Sequence, residues 1–406
     1  MIDYATALSL LLDIAPTLEA EWVDVDAASG RVLATDVRST LALPGFDNAA
    51  MDGVALRLSN GPVPAGTRYR VHGMQAAGDV RTQRDDTDAC EIATGARLPD
   101  GFNTVVPVER LEFIADVSEH AGRTMVLLDD AHPGQHVRRL GDDITEGHIV
   151  LRAGRHVDPS AIMLLAAQGI ARIDVRRRPR VAIICTGSEL REPGSALSPG
   201  AIHNSNGPFL RASLRAWGAE VVHYDSVNDD GHAFAQSLDR AQQAGAQVIV
   251  TTGAVSAGRF DFIPAALGAA GARTLFHKVA MRPGKPLLAA TLPSGPVVVA
   301  LPGNPMAVAV GLRFFVVPLV RRMLCMSDEV PLQVALVDVP DLREGLQHFV
   351  LANLAGDAAG HVHAQPVGRQ TAYRVLPYTQ ASVWLAMTSG EGAIASVFPL
   401  EAAAVS

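Results

Sequence analysis

From Val181 onward the chain alternates short apolar runs with helical stretches, and this alternation restricts the fold more than any other feature of its 406 residues. VAIICT leads to PFLRASLRAWG, then to AEVVHY, GHAFAQSLDRAQQAG, QVIVTTG, DFIPAALGAAG and VVVALPG, with a long helix from Pro305. The apolar runs lack polar alternation, so both faces of each strand must be covered. Separated by helices, they predict a parallel sheet with helices on both sides, a doubly wound α/β domain. Past Asp328 the helical spacing is lost. LQVALVDV, HFVLANL and SVWLAMTS alternate instead, which predicts a small C-terminal β domain.

The first part of the chain reads differently. Apolar residues at helical spacing predict a helix from Asp3 to about Ala15, and a second helix is capped by Asp158, opens with Pro159 and stops at Gly169. Between them, residues 45–140 hold Gly, Pro and β-branched runs such as NTVVPVERL and RTMVLL, a β-type insertion. If the two helices pack together, a discontinuous helical domain (1–44 and 143–178) carries an inserted β lobe (45–142). The α/β domain then spans 179–327 and the C-terminal β domain 328–406. The basic run Asp174–Arg180, DVRRRPR, reads as a solvated linker.

Charge and cysteine usage remove several function classes. Lys and Arg number 34 against 42 Asp and Glu, a net charge of -8, so there is no global attraction to nucleic acid or an anionic membrane. Any anion must be held locally. Cys90, Cys185 and Cys325 are far apart, which excludes a CxxC metal or redox pair and reads as buried thiols in a reducing compartment. The N-terminus has no basic leader and Asp13 breaks its apolar run. The apolar stretch Met306–Leu324 contains Arg313 and Pro318, so it reads as a buried helix and not a membrane span. These features together predict a cytoplasmic protein.

In an open parallel sheet, ligands bind beyond the carboxyl ends of the strands. Each strand here runs into small residues: Thr186-Gly187-Ser188-Glu189, then Thr251-Thr252-Gly253-Ala254-Val255-Ser256, then Leu301-Pro302-Gly303-Asn304-Pro305. Loops of this kind offer free backbone amides to an anion. Lys278, Arg282 and Lys285 cluster around a Pro-Gly turn and suit phosphate or another oxyanion. Against these cations stand carboxylates on the strand-end loops: Glu189 and Asp261, with Asp229 and Asp230 after the next strand. Beside a phosphate site such acids point to a bridging Mg2+; otherwise they are helix caps or exposed acids. No GxxxxGK[ST], GxGxxG, G-x-S-x-G or HExxH occurs, so the common nucleotide, hydrolase and zinc fingerprints are absent.

In the β lobe, FDNAAMDG, ATGA and VRRLGDDI read on their own as turn chemistry. Taken with VAIICTGSEL, TTGAVSAGRFDF, HKVAMRPGKP and ALPGNP, they resemble, in order and at similar separations, the motif series of the MoeA family, molybdopterin molybdenumtransferase. The resemblance runs from about residue 28 to 310. It implies a multidomain subunit with a MogA-like α/β domain, acting as a homodimer whose site lies between the α/β domain of one subunit and the β lobe of the other. The implied reaction is Mg2+-dependent: molybdopterin-adenylate and molybdate are the substrates, AMP is released, and molybdenum is placed on the dithiolene.

The resemblance further implies catalytic roles for Asp52, Thr94, Glu189 and Asp261, with Glu189 and Asp261 as candidate Mg2+ ligands. Arg138, Asp143, Lys278, Arg282 and Lys285 fall on cofactor- or anion-holding positions, beside Thr186, Gly187, Gly253, Ser256, Pro302, Gly303 and Asn304 of the loops. Implied partners are a MogA-like adenylyltransferase and the molybdoenzymes that receive the product. Departures from the family pattern are Arg282 for Lys, Ala254 for Gly, Ser188 for Asp, Phe262 for Tyr, and Met306-Ala307 for Val-Ser. A non-catalytic scaffold related to gephyrin and a tungstate-inserting paralogue stay open as alternatives.

Overall fold

A computed structural model describes the whole chain except residues 60, 81–86, 115–122, 256–261, 339, 391–392 and 401–406. It contains two compact units: Met1–Thr35, Arg152–Met163 and Ala171–Ser406 form one, and Asp36–Leu151 with Leu164–Ile170 the other.

The first unit is built on a six-stranded sheet ordered Glu220–Val227, Arg180–Thr186, Val248–Thr252, Val297–Leu301, Leu288–Thr291, Arg273–His277. The first four strands are parallel; the last two are antiparallel. The expected parallel sheet therefore carries an antiparallel edge pair. Alternate residues of each strand feed opposite cores. Val181, Ile183, Val248, Val250, Val297 and Val299 face one side with Leu210 and Leu214 of the helix Asn206–Ala216. Ala182, Ile184, Ile249 and Val298 face the other, with Phe234 and Leu238 of the helix Gly231–Gln243. Each fully buried aliphatic side chain contributes about 1.5–3 kcal/mol, so two-sided burial is what fixes these strands in the centre.

The helix from Pro305 is buried along its length. Its hydrogen bonding widens to a π-helical turn at Leu312–Val316 before resuming over Val317–Met323. Pro318 has no N–H for the carbonyl of Phe314, and the Tyr4 hydroxyl lies 3.5 Å from that carbonyl. Within the wide turn Arg313, only 3% exposed, meets Glu329 through two bonds of 2.9 Å and donates from Nε to the Pro399 carbonyl. A fully bonded guanidinium explains how an arginine sits inside so apolar a stretch. No helix among the described residues is long and apolar enough to cross a membrane.

The N-terminal helix is Tyr4–Asp13, capped by Asp3, which accepts from the Thr6 amide; it packs on Val317–Met323 and Arg273–His277. Asp158 caps the second helix, Pro159–Ala167, accepting from Ala161 N at 2.8 Å. The basic run is not a free linker. Arg172–Arg176 pairs antiparallel with Ala20–Asp24, burying Val175, because Ile173 and Val175 alternate with the arginines at strand spacing. Cys90 and Cys185 are buried free thiols, but Cys325 is exposed, placed in the turn just after the helix.

Five strands of the C-terminal domain close into a barrel: Gln347–Gly356, Val362–Pro366, Leu332–Leu336, Ile394–Pro399 and Val383–Thr388, each bonded to two neighbours. A two-residue strand of the α/β domain, Met281–Arg282, joins this sheet beside Gln347–His348.

The second unit is β-rich. A four-stranded sheet (Met74–Gln75, Ala89–Ile92, Gly53–Leu56, Thr104–Pro107) and a three-stranded one (Arg68–Val71, Arg123–Leu127, Leu111–Ile114) share a core around Leu56, Val106 and Met125.

Arg313→Met should strand the Glu329 carboxylate in the interior. Loss of one partner of a buried pair costs about 3–5 kcal/mol, so we expect a clear fall in the urea midpoint, and a midpoint within error of the parent would show the pair to be dispensable.

Candidate functional site

The strand tips converge closely. Thr186 Oγ1 donates to the Thr252 carbonyl at 3.0 Å, and Gly253 N donates to the Leu301 carbonyl at 3.0 Å, so three loops are tied side by side. Gly253 has φ +89, and a Cβ there would sit 2.5 Å from the Thr186 carbonyl oxygen; only glycine fits both the backbone conformation and the space. The place for a Cβ on Gly303 is 3.6 Å from the Gly253 Cα, and Asn206 Nδ2 donates to the Gly303 carbonyl at 2.8 Å. Ala254 follows with φ 47, so the departure from glycine at this position costs the backbone about 1–2 kcal/mol.

Glu189 is exposed and folds over its own loop. Both carboxylate oxygens lie 2.9 Å from where a Cβ on Gly187 would be, so Gly187 leaves the room that the carboxylate occupies. Ser188 N donates to Asp229 Oδ2 at 3.1 Å while Asp229 N donates to the Ser188 hydroxyl at 3.2 Å. Ser188 thus holds Asp229 against this loop. Asp230 has the ordinary structural role, capping the helix Gly231–Gln243 through His232 N and Ala233 N.

The cations sit on the adjoining turn. Lys278 has φ 70; Val279 N donates to the Lys285 carbonyl, closing the turn; and the neighbouring His277 ring lies 2.9 Å from the Val255 carbonyl of the Gly253 loop. Arg282 and Lys285 are exposed and have no carboxylate within 4.0 Å among the described residues. They line a cleft of about 810 Å³ with Pro302 and Asn304, and its far wall is the C-terminal barrel. There Arg343 and Arg374 face the same space. His348, 5% exposed and paired in register with Arg282, accepts from the Arg343 amide at 3.0 Å.

Thr186, Gly187, Glu189, Gly253, Lys278, Arg282, Lys285, Pro302, Gly303 and Asn304 therefore gather at one end of the sheet. Ser256 and Asp261 lie outside the described residues. Among the described residues no cluster of three acid, His or Cys groups forms a metal cage. An ion such as Mg2+, however, is commonly held by one or two carboxylates plus phosphate oxygens, and exposed Glu189 meets that requirement. Arg343, Arg374 and His348 were not found from sequence: they carry no motif and fall in runs whose alternation marks only strands and turns.

The lobe has its own cluster. Asp52 Oδ1 accepts from Thr94 N at 2.7 Å, and that amide together with the Thr94 hydroxyl holds the Asp52 carboxyl below its ordinary value. Arg138 is paired in register with Asn48, with Nη2 3.5 Å from the Ala50 carbonyl, so it stands beside the segment leading to Asp52. Asp47 accepts from Leu140 N at 2.8 Å and from Arg139 Nη1 at 2.6 Å, which lowers its carboxyl, the Leu140 amide contributing most. Asp143 is on the same hairpin, its amide bonded to the Leu43 carbonyl.

Known proteins match the chain throughout. The MoeA N-terminal region (domain I and II) matches residues 2–169, and the family described as a probable molybdopterin binding domain matches residues 182–322. The molybdopterin molybdenumtransferase of Synechococcus elongatus is 36% identical over 99% of both chains, and molybdopterin molybdenumtransferase 2 of Mycobacterium tuberculosis 37% identical over 75% of this chain and 76% of that one. Among solved structures, the molybdopterin biosynthesis moeA protein of Pyrococcus horikoshii OT3 superposes with a TM-score of 0.79 at 25% identity, covering 98% of this chain and 97% of that one.

Two tests follow from the geometry. Gly253→Ala should push Thr186 and Gly253 apart and lower the thermal midpoint, whereas Ala254→Gly, which relieves a positive φ, should not; equal effects would contradict the described loop. Asp47→Asn should lower the denaturant midpoint at neutral pH. A depressed carboxyl stabilises above its unfolded value of 3.8 and loses that contribution as pH falls through the folded value, so the gap between parent and variant should close in acid. A gap independent of pH would remove the ionised carboxylate as its cause.

Proposed function

The chain belongs to the molybdopterin molybdenumtransferase (MoeA) family, and from that premise we propose that it inserts molybdenum into molybdopterin, taking molybdopterin-adenylate and molybdate as substrates and releasing AMP. One observation carries the reading: Arg282 and Lys285, with no carboxylate within 4.0 Å among the described residues, share a cleft with Pro302 and Asn304 at the strand tips. Guanidinium and ammonium groups there, with loop amides behind them, would hold phosphate and molybdate oxygens and stabilise negative charge as the phosphoanhydride bond breaks. Arg282 presents a planar fork where a lysine would be a point charge. The Thr186–Gly187 and Gly253 loops would bind the pterin end, their close packing excluding side chains from the floor.

Glu189 would hold Mg2+ through its carboxylate, with Asp261 as the second expected ligand; the ion when bound would neutralise phosphate charge. We take the active form to be a homodimer in which Asp52, Thr94, Arg138 and Asp143 act from the β lobe against the α/β domain of the second protomer. This is the arrangement the family resemblance implies, with the domain division 1–44 and 143–178, 45–142, 179–327 and 328–406. A cytoplasmic setting, a MogA-like supplier of the adenylate and molybdoenzyme recipients belong to the same reading.

Incubation with molybdopterin-adenylate, molybdate and Mg2+ should release AMP and yield active cofactor. Lys285→Ala should lower turnover by about 10²–10³-fold, the usual cost of one charge-stabilising donor. Ligand binding with no AMP release would instead favour the scaffold alternative, and tungstate consumed in preference to molybdate would favour the tungstate one. Mixing Lys285→Ala with Asp52→Asn protein should restore part of the activity that each lacks alone, since a mixed dimer keeps one intact site; no recovery would speak against the shared site.

A further inference from the structure

A second cavity lies in the same unit, of about 270 Å³, and shares no lining residue with the cleft at the strand tips. Arg31, Arg176, Arg178 and Arg321 line it, together with His156 and Trp217. We propose that this cavity binds a small organic anion carrying one phosphate or carboxylate group.

Charge is the first argument. Asp158 is the one carboxylate on the lining, and it is already committed: it accepts from Ala161 N and the Ser160 hydroxyl and lies 3.7 Å from Arg155. Glu21 is paired with Arg31 and lies 4.0 Å from Arg177. The other three guanidiniums are met by carbonyls and have no carboxylate within 4.0 Å among the described residues. Arg176 donates to the Leu18 carbonyl, Arg321 to that of Ser327, and Arg178 reaches that of Gly218 at 3.4 Å. A carbonyl satisfies an N–H but does not cancel a charge. Burial draws the Arg178 and Arg321 pKa values down, with Arg31 adding to the effect at Arg178 and Arg313 at Arg321, against the opposing pull of Glu21 and Glu220 on the first and of Glu329 and Asp328 on the second.

The second argument is unmet hydrogen bonding. Each lining guanidinium spends only part of its five donors inside the protein: Arg31 on Glu21 and the Arg176 carbonyl, Arg176 on Leu18, Arg178 on Gly218 and Arg321 on Ser327, among the described residues. An oxyanion supplies several acceptors to forked guanidiniums at once. The third argument is shape. Val32, Val157, Leu324 and Met326 give the cavity apolar walls, and Trp217, with the Arg313 guanidinium over its ring at 5.4 Å, adds an aromatic one. The volume falls at the low end of ligand pockets, which limits the occupant to a small molecule with a charged head and an apolar body.

The test is calorimetric titration of the full chain, at constant ionic strength, with phenyl phosphate, benzoate and inorganic phosphate in separate arms. Saturable binding of phenyl phosphate or benzoate, tighter than that of inorganic phosphate, is expected, and the tighter of the two identifies the head group. Arg178→Gln, a change at an exposed position, should weaken that binding at least tenfold while leaving AMP release unchanged. Arg282→Gln, in the other cleft, should leave the binding as it was. The proposal is overturned if none of the three anions binds saturably, if Arg178→Gln has no effect, or if Arg282→Gln weakens binding as much as Arg178→Gln does.

Discussion

Parallel strands buried on both faces have one place left at which backbone groups can meet a ligand, and that is where their carboxyl ends run out of partners. The geometry of this chain follows from that constraint. Alternating burial through Val181–Cys185, Val248–Val250 and Val297–Ala300 fixes the strands in depth and direction, so Thr186, Gly253 and Gly303 arrive at the same edge. At such short separations the loops can be close only where side chains are missing, and the Thr186 carbonyl leaves no room for a Cβ on Gly253.

The cation turn is held to this edge from two directions. His277 meets the Val255 carbonyl on the sheet side, and Arg282 enters the barrel ladder opposite His348 on the other. Arg282 and Lys285 thereby face a cleft walled by both domains, with Asp341 on its far wall and no carboxylate within 4.0 Å of either cation among the described residues. Both cations are exposed, so they stay hydrated until an incoming oxyanion takes the place of water around them.

Much of this was legible in the sequence because it depends on local order. Strand and helix alternation after Val181 gave the α/β domain, and small residues after each strand marked the edge. The parts that escaped depend on long-range pairing. Nothing in RTLFH or LAAT indicates an antiparallel pair appended to a parallel sheet: RTLFH is a largely exposed edge strand, and neither run carries a signal of strand direction. DVRRRPR reads as a linker by charge, although Ile173 and Val175 sit at strand spacing among the arginines. Arg343 and Arg374 join the cleft only because the barrel closes beside it, a relation between residues more than fifty positions away from Arg282. In the lobe, Asp52 and Thr94 were marked by family resemblance and not by spacing; the structure places the Thr94 amide 2.7 Å from Asp52 Oδ1.

The two-residue ladder between Met281–Arg282 and Gln347–His348 has a consequence for how this architecture can be recombined. A hybrid made by exchanging barrels between relatives at the junction near Asp328 would keep every residue of the α/β domain and still inherit a foreign edge next to the guanidinium. Transplants that carry the 278–285 turn along with its own barrel preserve the match, so these two stretches, far apart in the chain, form one heritable module.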